Sequence, residues 1–262
     1  MNSRAQEIAV ALANVEDRMS KAAAVAGRKR SELTLVAVTK TYPASDVQIL
    51  ADLGVSNFGE NRSDEGSEKS EAIAATWHFQ GQVQGRKLKD IANWASYIHS
   101  IDSGEHITKL SRICADKNRK ISIFLQLSLD GAPDRGGVLA DQLGQLANQV
   151  AADSNLHLAG LMCVPPVEYG FERAFGEIAK VHSAFKVGFP DAVGLSAGMS
   201  SDFEVAIAYG ATHLRVGSEI LGLRAYHPKT LPMSALNKMM GYLGLVDTDE
   251  QAQGEALSLI HI

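Results

Sequence analysis

The sequence has few cysteines and no strong excess of charge. Cys114 and Cys163 are the two cysteines among 262 residues, and they stand far apart without the spacing of metal ligands. A disulfide framework or a metal centre is therefore not expected. We expect two buried, unreactive thiols instead. The net charge of −5 and the scattered basic residues argue against nucleic acid or an anionic membrane as the main partner.

Long apolar runs are also missing. None reaches about 18 residues, the length that a membrane-spanning helix needs. The first ten residues, MNSRAQEIAV, lack the basic and then apolar layout of a signal peptide. These absences predict a protein of the reducing cytoplasm with no membrane partner.

What the sequence does contain is an alternation of apolar strands and helices. Eight segments are predicted as strands: 33–39, 56–60, 77–81, 97–101, 121–129, 157–164, 192–198 and 212–218. Helices are predicted before the first strand, at 2–26, and between the strands, at 44–54, 63–75, 86–95, 105–118, 139–153, 168–187 and 201–209. The strands are apolar almost throughout, as in parallel sheets that are covered on both faces.

Eight strand–helix units that close on themselves predict a single (β/α)8 TIM-type barrel with an extra N-terminal helix. A doubly wound open sheet is the alternative, but no glycine-rich fingerprint follows the first strand. We expect the barrel and its N-terminal helix to occupy residues 1–230. Residues 231–262 are expected to form a final helix and a polar tail.

Lys40 ends the first apolar strand, in the stretch LTLVAVTKTYP. A lysine after a strand can be a solvated strand end. The active sites of such barrels, however, lie at the carboxyl ends of the strands, where partial burial favours the neutral amine. A neutral amine can attack an aldehyde and form a Schiff base.

Two loops of small residues follow the last two strands. GMSSD ends the seventh strand, with Ser200 or Ser201 as a helix N-cap and Glu204 as a capping-box acid. RVGSEILG follows the eighth strand and offers Gly217 and the Ser218 hydroxyl. Barrel phosphate sites frequently use the loops after strands 7 and 8, although an ordinary helix cap would explain the first loop as well.

A lysine opposite a phosphate site suggests a phosphorylated aldehyde, and pyridoxal 5′-phosphate (PLP) fits this description. Arg215 stands two residues before Gly217. If its guanidinium points into the barrel mouth, it faces the pyridine nitrogen of PLP and keeps that nitrogen unprotonated, which disfavours carbanion chemistry. A structural ion pair is the other interpretation of Arg215.

Several motifs in order resemble one known family. LVAVTKTYP, FGEN, WHFQGQVQ, IHSIDS, GLMCVPP and LSAGMSSDFEVAIAYGATHLRVGSEILG together resemble the PLP homeostasis proteins of the YggS/PROSC type, from about Leu33 to Arg224. The resemblance implies a single barrel similar to the N-terminal domain of alanine racemase. It also implies a protein that binds, buffers and delivers PLP without substantial turnover.

The resemblance assigns roles by motif. Lys40 would form the Schiff base, and Asn61 and His78 would line the pocket. The phosphate would be held by Ser200, Gly217 and Ser218, while Arg215 would face the ring nitrogen. Met199 would pack near the ring. Expected partners are PLP and, as acceptors, apo forms of PLP-dependent enzymes; the protein is expected to be a monomer.

Two loops depart from the family pattern. VQGRK stands where the family has Asn-Lys, so Arg86 and Lys87 would supply the basic character. DGAPDRGGV replaces a Lys-Ser-Gly-like turn after the fifth strand and offers Arg135.

Two other functions remain open from the sequence. One is a fold-type-III PLP enzyme, a racemase or decarboxylase that acts on amino acids. The residues after the barrel offer no second domain to supply another catalytic base, and Arg215 disfavours the chemistry. The other is a barrel enzyme that forms a Schiff base between Lys40 and a sugar phosphate.

Overall fold

The computed structural model of the chain describes residues 3–132 and 135–222. Eight parallel strands form a closed barrel in sequence order, and the last strand pairs with the first. The predicted (β/α)8 barrel is therefore confirmed, and the open sheet is excluded. The described residues contain no helix long and apolar enough to cross a membrane.

The strands are β1 (Thr34–Val38), β2 (Asn57–Glu60), β3 (Thr76–Phe79), β4 (Tyr97–Ile101), β5 (Ile121–Leu127), β6 (Leu156–Cys163), β7 (Gly194–Met199) and β8 (His213–Val216). The helices are α1 (Ser3–Val25), α2 (Ala44–Asp52), α3 (Ser63–Ala72), α4 (Leu88–Trp94), α5 (Gly104–Asp116), α6 (Leu143–Ala151), α7 (Phe171–Gly188), α8 (Phe203–Ala208) and α9 (Ser218–Leu221). Short 3-10 turns occur at Arg30–Glu32, Gly85–Lys87, Ala140–Gln142 and Val167–Tyr169.

The extra N-terminal helix, α1, is also present as predicted. Its buried residues recur every three or four positions and so form one apolar face: Ile8, Leu12, Val15, Met19 and Ala23. This face packs mainly against α8 and α9. Arg18 strengthens the contact through ion pairs with Glu204 at 2.6 Å and Glu219 at 3.0 Å.

The end of β7 differs from the prediction. The helix α8 begins at Phe203, its N-cap is Asp202, and Ser200 and Ser201 lie in the preceding turn. The prediction of a capping box was wrong, because the Glu204 carboxylate forms an ion pair with Arg18 of α1. Asp202 closes the turn instead, since its Oδ1 accepts the backbone N–H of Met199 at 2.5 Å.

Most of the apolar core lies between the barrel and its helices. Alternate strand residues such as Leu35, Ala37 and Trp77 are buried in that layer. The other face of each strand points into the barrel, where polar and aromatic side chains replace the usual aliphatic filling. Five rings from β3, β4, β5 and β8 meet there with centroids 4.5 to 6.5 Å apart: His78, Tyr97, His99, Phe124 and His213.

The expected boundary near residue 230, and with it the final helix and polar tail of 231–262, lies outside the described residues. The barrel and α1 belong to a compact unit that spans Met1–Leu223. The assignment of residues 1–230 to the barrel stays a prediction.

Candidate functional site

Lys40 stands two residues beyond the last residue of β1 and is half-buried. The chain before it still runs along β2, because the N–H of Thr39 donates to the carbonyl of Gly59 at 3.0 Å. The lysine is therefore carried at the carboxyl end of the barrel, as the sequence predicted.

Both cysteines are fully buried, and burial raises the pKa of the Cys114 thiol to about 11 and of the Cys163 thiol to about 12.

The loops after β7 and β8 meet at the same end of the barrel. The backbone N–H of Gly217 lies 3.4 Å from the Ser200 hydroxyl. Ser200 is half-buried, and Ser218 is exposed at the start of α9. The structure thus brings together three of the residues to which the sequence assigned a phosphate, with Met199 half-buried beside them.

Gly217 also permits a close approach between β8 and β1. A Cβ atom at this position would lie 3.1 Å from the carbonyl oxygen of Val38, which is the last residue of β1. The absence of a side chain permits the approach that places the Gly217 N–H beside the Ser200 hydroxyl.

Arg215 is a buried cation whose hydrogen-bond partners are neutral groups. One terminal nitrogen donates to the Ser196 hydroxyl at 2.7 Å, and the other donates to the carbonyl of Cys163 at 3.2 Å. Within residues 3–132 and 135–222 it forms no ion pair. Burial lowers its pKa to about 10, so it remains charged at neutral pH. The structural ion pair considered for Arg215 is therefore not seen among these residues.

A chain of hydrogen bonds leads from Arg215 across the barrel interior. Ser196 Oγ lies 2.7 Å from His99 Nδ1, and His99 Nε2 lies 2.8 Å from His78 Nδ1. His78 Nε2 lies 3.0 Å from the side-chain oxygen of Asn57. We call these five side chains the interior chain: Arg215, Ser196, His99, His78 and Asn57.

The interior chain has one direction, which the Asn57 end sets and the Arg215 end allows. Arg215 can only donate, so Ser196 accepts from it and keeps its own hydroxyl proton available for His99. At the other end the Asn57 amide donates to Ser56 at 3.1 Å, which leaves its oxygen to accept from His78. Both imidazoles therefore carry their proton on Nε2.

Both imidazoles of the interior chain are neutral. Burial lowers the pKa of His78 to about 3 and holds the pKa of His99 well below its usual range. His213, in the same ring cluster, has its pKa lowered to about 4 by burial. The described residues contain no group of three His, Cys, Asp or Glu side chains able to hold a metal ion.

Asn61 directly follows the last residue of β2, and Gln80 directly follows the last residue of β3. Asn61 is half-buried and lines a cavity of about 270 Å³ together with Lys87 of the VQGRK loop. The Gln80 side-chain nitrogen is buried and has no hydrogen-bond partner in the described chain. It lies over Gly59, where a Cβ atom would come within 2.1 Å of it.

His78, which the sequence suggested as a pocket-lining residue, lies inside the barrel. Its two ring nitrogens are engaged by His99 and Asn57, and its ring stacks on Tyr97 at a centroid distance of 4.6 Å. It contributes to the site through the interior chain, so a direct contact between His78 and a cofactor stays a prediction.

Sequence reasoning missed Ser196 and Lys69, and it placed Gln80 at the end of the third strand without giving it a role. Ser196 lies in the apolar run GLSAG, and Gln80 follows a strand as a common polar residue would. Lys69 lies in the polar segment SDEGSEKSEA and gives no sign of burial. The one available signal was the presence of polar residues inside predicted barrel strands, since such residues need buried partners.

The residues present suit a flat, anionic cofactor at the barrel end. A buried guanidinium without a carboxylate partner is costly unless an electron-rich ligand or the surrounding dipoles stabilise it. Gln80 offers a buried donor that still lacks an acceptor. Ser200 and Gly217 offer a hydroxyl and a backbone N–H within 3.4 Å of each other, which suits a phosphate group.

Comparison with known proteins agrees with this geometry. The model of the alanine racemase N-terminal domain matches residues 10–225. The pyridoxal phosphate homeostasis protein of Mycobacterium leprae is 37% identical over 240 residues, which cover 84% of this chain and 93% of the relative. The Escherichia coli protein of the same name is 35% identical over 232 residues, which cover 85% of this chain and 99% of the relative.

Solved structures show the same barrel. PipY of Synechococcus elongatus, solved with PLP bound, is 29% identical and superposes with a TM-score of 0.70 over 82% of this chain and 100% of PipY. Alanine racemase of Corynebacterium glutamicum is 15% identical, with a TM-score of 0.64 over 87% of this chain and 63% of the racemase, and shares the fold. The chain belongs to the pyridoxal phosphate homeostasis proteins, whose barrel is the N-terminal domain of alanine racemase.

Proposed function

We propose that this protein binds PLP through a Schiff base at Lys40 and acts in PLP homeostasis as a carrier, without substantial turnover. The observation that carries the proposal is the buried Arg215, whose hydrogen-bond partners are neutral and which lies towards the end of the barrel where Ser200 and Gly217 meet. PLP offers a phosphate and an unprotonated ring nitrogen, and both are suitable acceptors for these donors.

The proposal gives each residue of the site a role. Ser200, Gly217 and Ser218 would hold the phosphate, and Arg215 would donate to the ring nitrogen. Met199 would pack beside the ring. Lys40 Nζ would hold PLP through a bond to its aldehyde carbon, with the carbonyl oxygen lost as water.

Asn61 would line the pocket from the end of β2. His78 would support it from within the barrel, because the interior chain fixes Arg215. The buried side-chain nitrogen of Gln80, which has no hydrogen-bond partner in the described chain, adds one donor to which the sequence assigned no role.

An arginine at the ring nitrogen is better suited to a PLP carrier than to a PLP-dependent enzyme. PLP withdraws electrons from a carbanion most strongly when its ring nitrogen is protonated, and Arg215, which stays charged at neutral pH, has no proton to give up readily. The names of the relatives agree with this role. We further propose a cytoplasmic monomer that passes PLP to apo forms of PLP-dependent enzymes.

Lys40→Ala tests the Schiff base. We expect the purified protein mixed with PLP to show the visible absorbance of a PLP Schiff base, and borohydride to fix the label on the peptide that contains Lys40. Lys40→Ala should lose both signals, while Lys117→Ala, which removes an exposed lysine, should keep them. Label on another lysine in the wild-type protein would contradict the assignment.

Turnover is tested separately. We expect amino-acid racemisation and decarboxylation no faster than with free PLP at the same concentration. A rate far above that background, abolished by Lys40→Ala, would identify a fold-type-III enzyme instead.

A further inference from the structure

The two residues that flank Lys40 are both held by charged side chains of β2 and α3. On one side, the Thr39 hydroxyl donates to Glu60 at 2.6 Å, and the Thr39 carbonyl accepts from Lys69 Nζ at 2.8 Å. On the other side, the backbone N–H of Thr41 donates to Glu65 at 2.6 Å. The backbone around Lys40 is thus fixed from both directions.

The three charged side chains also bind one another. Lys69 Nζ lies 2.6 Å from a Glu60 oxygen and 3.6 Å from a Glu65 oxygen. The Glu60 side chain is fully buried, and that of Lys69 is 6% exposed. We call Glu60, Glu65 and Lys69 the β2–α3 clamp. Glu60 faces the helices, since its neighbour Gly59 is on the barrel side, where a Cβ atom would meet the side chains of Gln80 and Val36.

The clamp holds a backbone conformation that the local sequence disfavours. Thr41 has φ of +67°, a left-handed conformation that is a genuine outlier for a β-branched residue. Its N–H is satisfied by Glu65, and a turn closes beside it because Tyr42 N–H donates to the Thr39 carbonyl at 3.0 Å. Without the Glu65 acceptor, Thr41 would relax towards an ordinary conformation and take Lys40 with it.

A buried ion pair is poor evidence for a gain in stability, because desolvation offsets the attraction between the charges. Burial also raises the pKa of Glu60, against the effect of the hydrogen bond from Lys69. The arrangement is better explained by the geometry that it imposes. Every clamp residue contacts the backbone or side chain of a neighbour of Lys40.

We propose that Glu60, Glu65 and Lys69 are positioning residues that hold the backbone of 39–41 so that the Lys40 amine is presented to an aldehyde carbon. This inference rests on the proposed Schiff base at Lys40. The clamp itself touches no reacting atom, so its effect is on the rate at which the carbon–nitrogen bond forms and water leaves.

Pyridoxal provides the test, because it carries the aldehyde without the phosphate and makes the readout independent of Ser200 and Gly217. The protein without PLP is incubated with pyridoxal and cyanoborohydride, which reduces the imine to a stable secondary amine. Peptide mass spectrometry gives the labelling rate at Lys40, and the exposed lysines serve as an internal reference.

Three substitutions on α3 separate the possible causes. Glu65→Ala removes the acceptor of the Thr41 N–H, and we expect labelling at Lys40 to slow by about tenfold. Glu65→Gln keeps a side-chain oxygen that can accept the same bond, so its rate should stay within about twofold of wild type. Glu68→Ala, an exposed glutamate on the same helix, should behave as wild type.

Two further measurements keep a loss of folding from being mistaken for the effect. Amide hydrogen exchange should show that Thr41 loses protection in Glu65→Ala, while thermal unfolding remains cooperative. The double variant Glu60→Gln/Lys69→Met removes both buried charges together, and it should also slow the labelling of Lys40.

The proposal is overturned if Glu65→Ala labels Lys40 as fast as wild type, or if Glu65→Gln is as slow as Glu65→Ala, which would make the effect one of charge alone. Failure of the proposed function looks different, because wild-type Lys40 would then take up no label from PLP itself.

Discussion

Ser196→Ala tests the interior chain at its central link. Ser196 is fully buried and is the partner of both Arg215 and His99. The substitution leaves a guanidinium N–H without its acceptor and His99 Nδ1 without its donor. Because alanine differs by one oxygen atom, the change in packing is small and the loss can be assigned to the two hydrogen bonds.

The size of the effect follows from the groups involved. A hydrogen bond to a charged group contributes about 1.5–3 kcal/mol, and a neutral buried acceptor left unsatisfied costs about 1 kcal/mol or more. We therefore expect Ser196→Ala to lower the free energy of unfolding by about 3 kcal/mol. Urea unfolding of the protein without PLP measures this, as a lower midpoint with an unchanged slope.

Ser122→Ala is the matched control. Ser122 is also a serine of a barrel strand, but its hydroxyl makes one long contact of 3.4 Å with His157 at an exposed position. Ser122→Ala should lower the free energy of unfolding by less than about 1 kcal/mol. Equal stability of the two variants would refute the interior chain, as would an NMR spectrum in which either His78 or His99 carries its proton on Nδ1.

Two further predictions concern pH and the proposed phosphate site. Burial lowers the pKa of His78 to about 3 and also lowers that of His99, so the unfolded chain takes up protons below about pH 6.5 that the folded protein does not. Burial lowers the pKa of His182 and of His213 to about 4 as well. Stability should therefore fall as the pH drops from about 6.5, by up to about 1.4 kcal/mol per pH unit for each of these four imidazoles, and equal urea midpoints at pH 7 and pH 5 would refute this. Gly217→Ala should weaken PLP binding by about tenfold in an absorbance titration, because a Cβ atom there would lie 3.1 Å from the Val38 carbonyl oxygen and would displace the backbone N–H beside Ser200; unchanged affinity would contradict the placement of the phosphate.

The sequence predicted the barrel because the relevant signals are local. Each strand is a short apolar run, and each helix repeats its apolar residues every three or four positions, as α1 does. Once the strands are parallel and in order, their carboxyl ends must lie at one end of the barrel. Lys40, Ser200 and Gly217 could therefore be assigned to the same end from their places in the chain alone.

Local signals failed where a distant partner decides the outcome. The sequence favoured Ser200 or Ser201 as a helix cap with Glu204 as its acid. In the structure Glu204 pairs with Arg18, which lies 186 residues earlier, and Asp202 closes the turn. Capping rules compare residues three or four positions apart, so they cannot predict an ion pair between two helices that are distant in sequence.

The sequence by itself determined eight strands, their covering helices and the chemical groups at the strand ends. The tertiary structure alone decided which polar groups are buried together. Ser196 meets His99 across 97 residues of sequence, and Lys69 is buried because the end of β2 places Glu60 beside it. Barrel closure sets these contacts, since the register of eight hydrogen-bonded strands fixes which side chains share the interior and which neighbours surround Lys40.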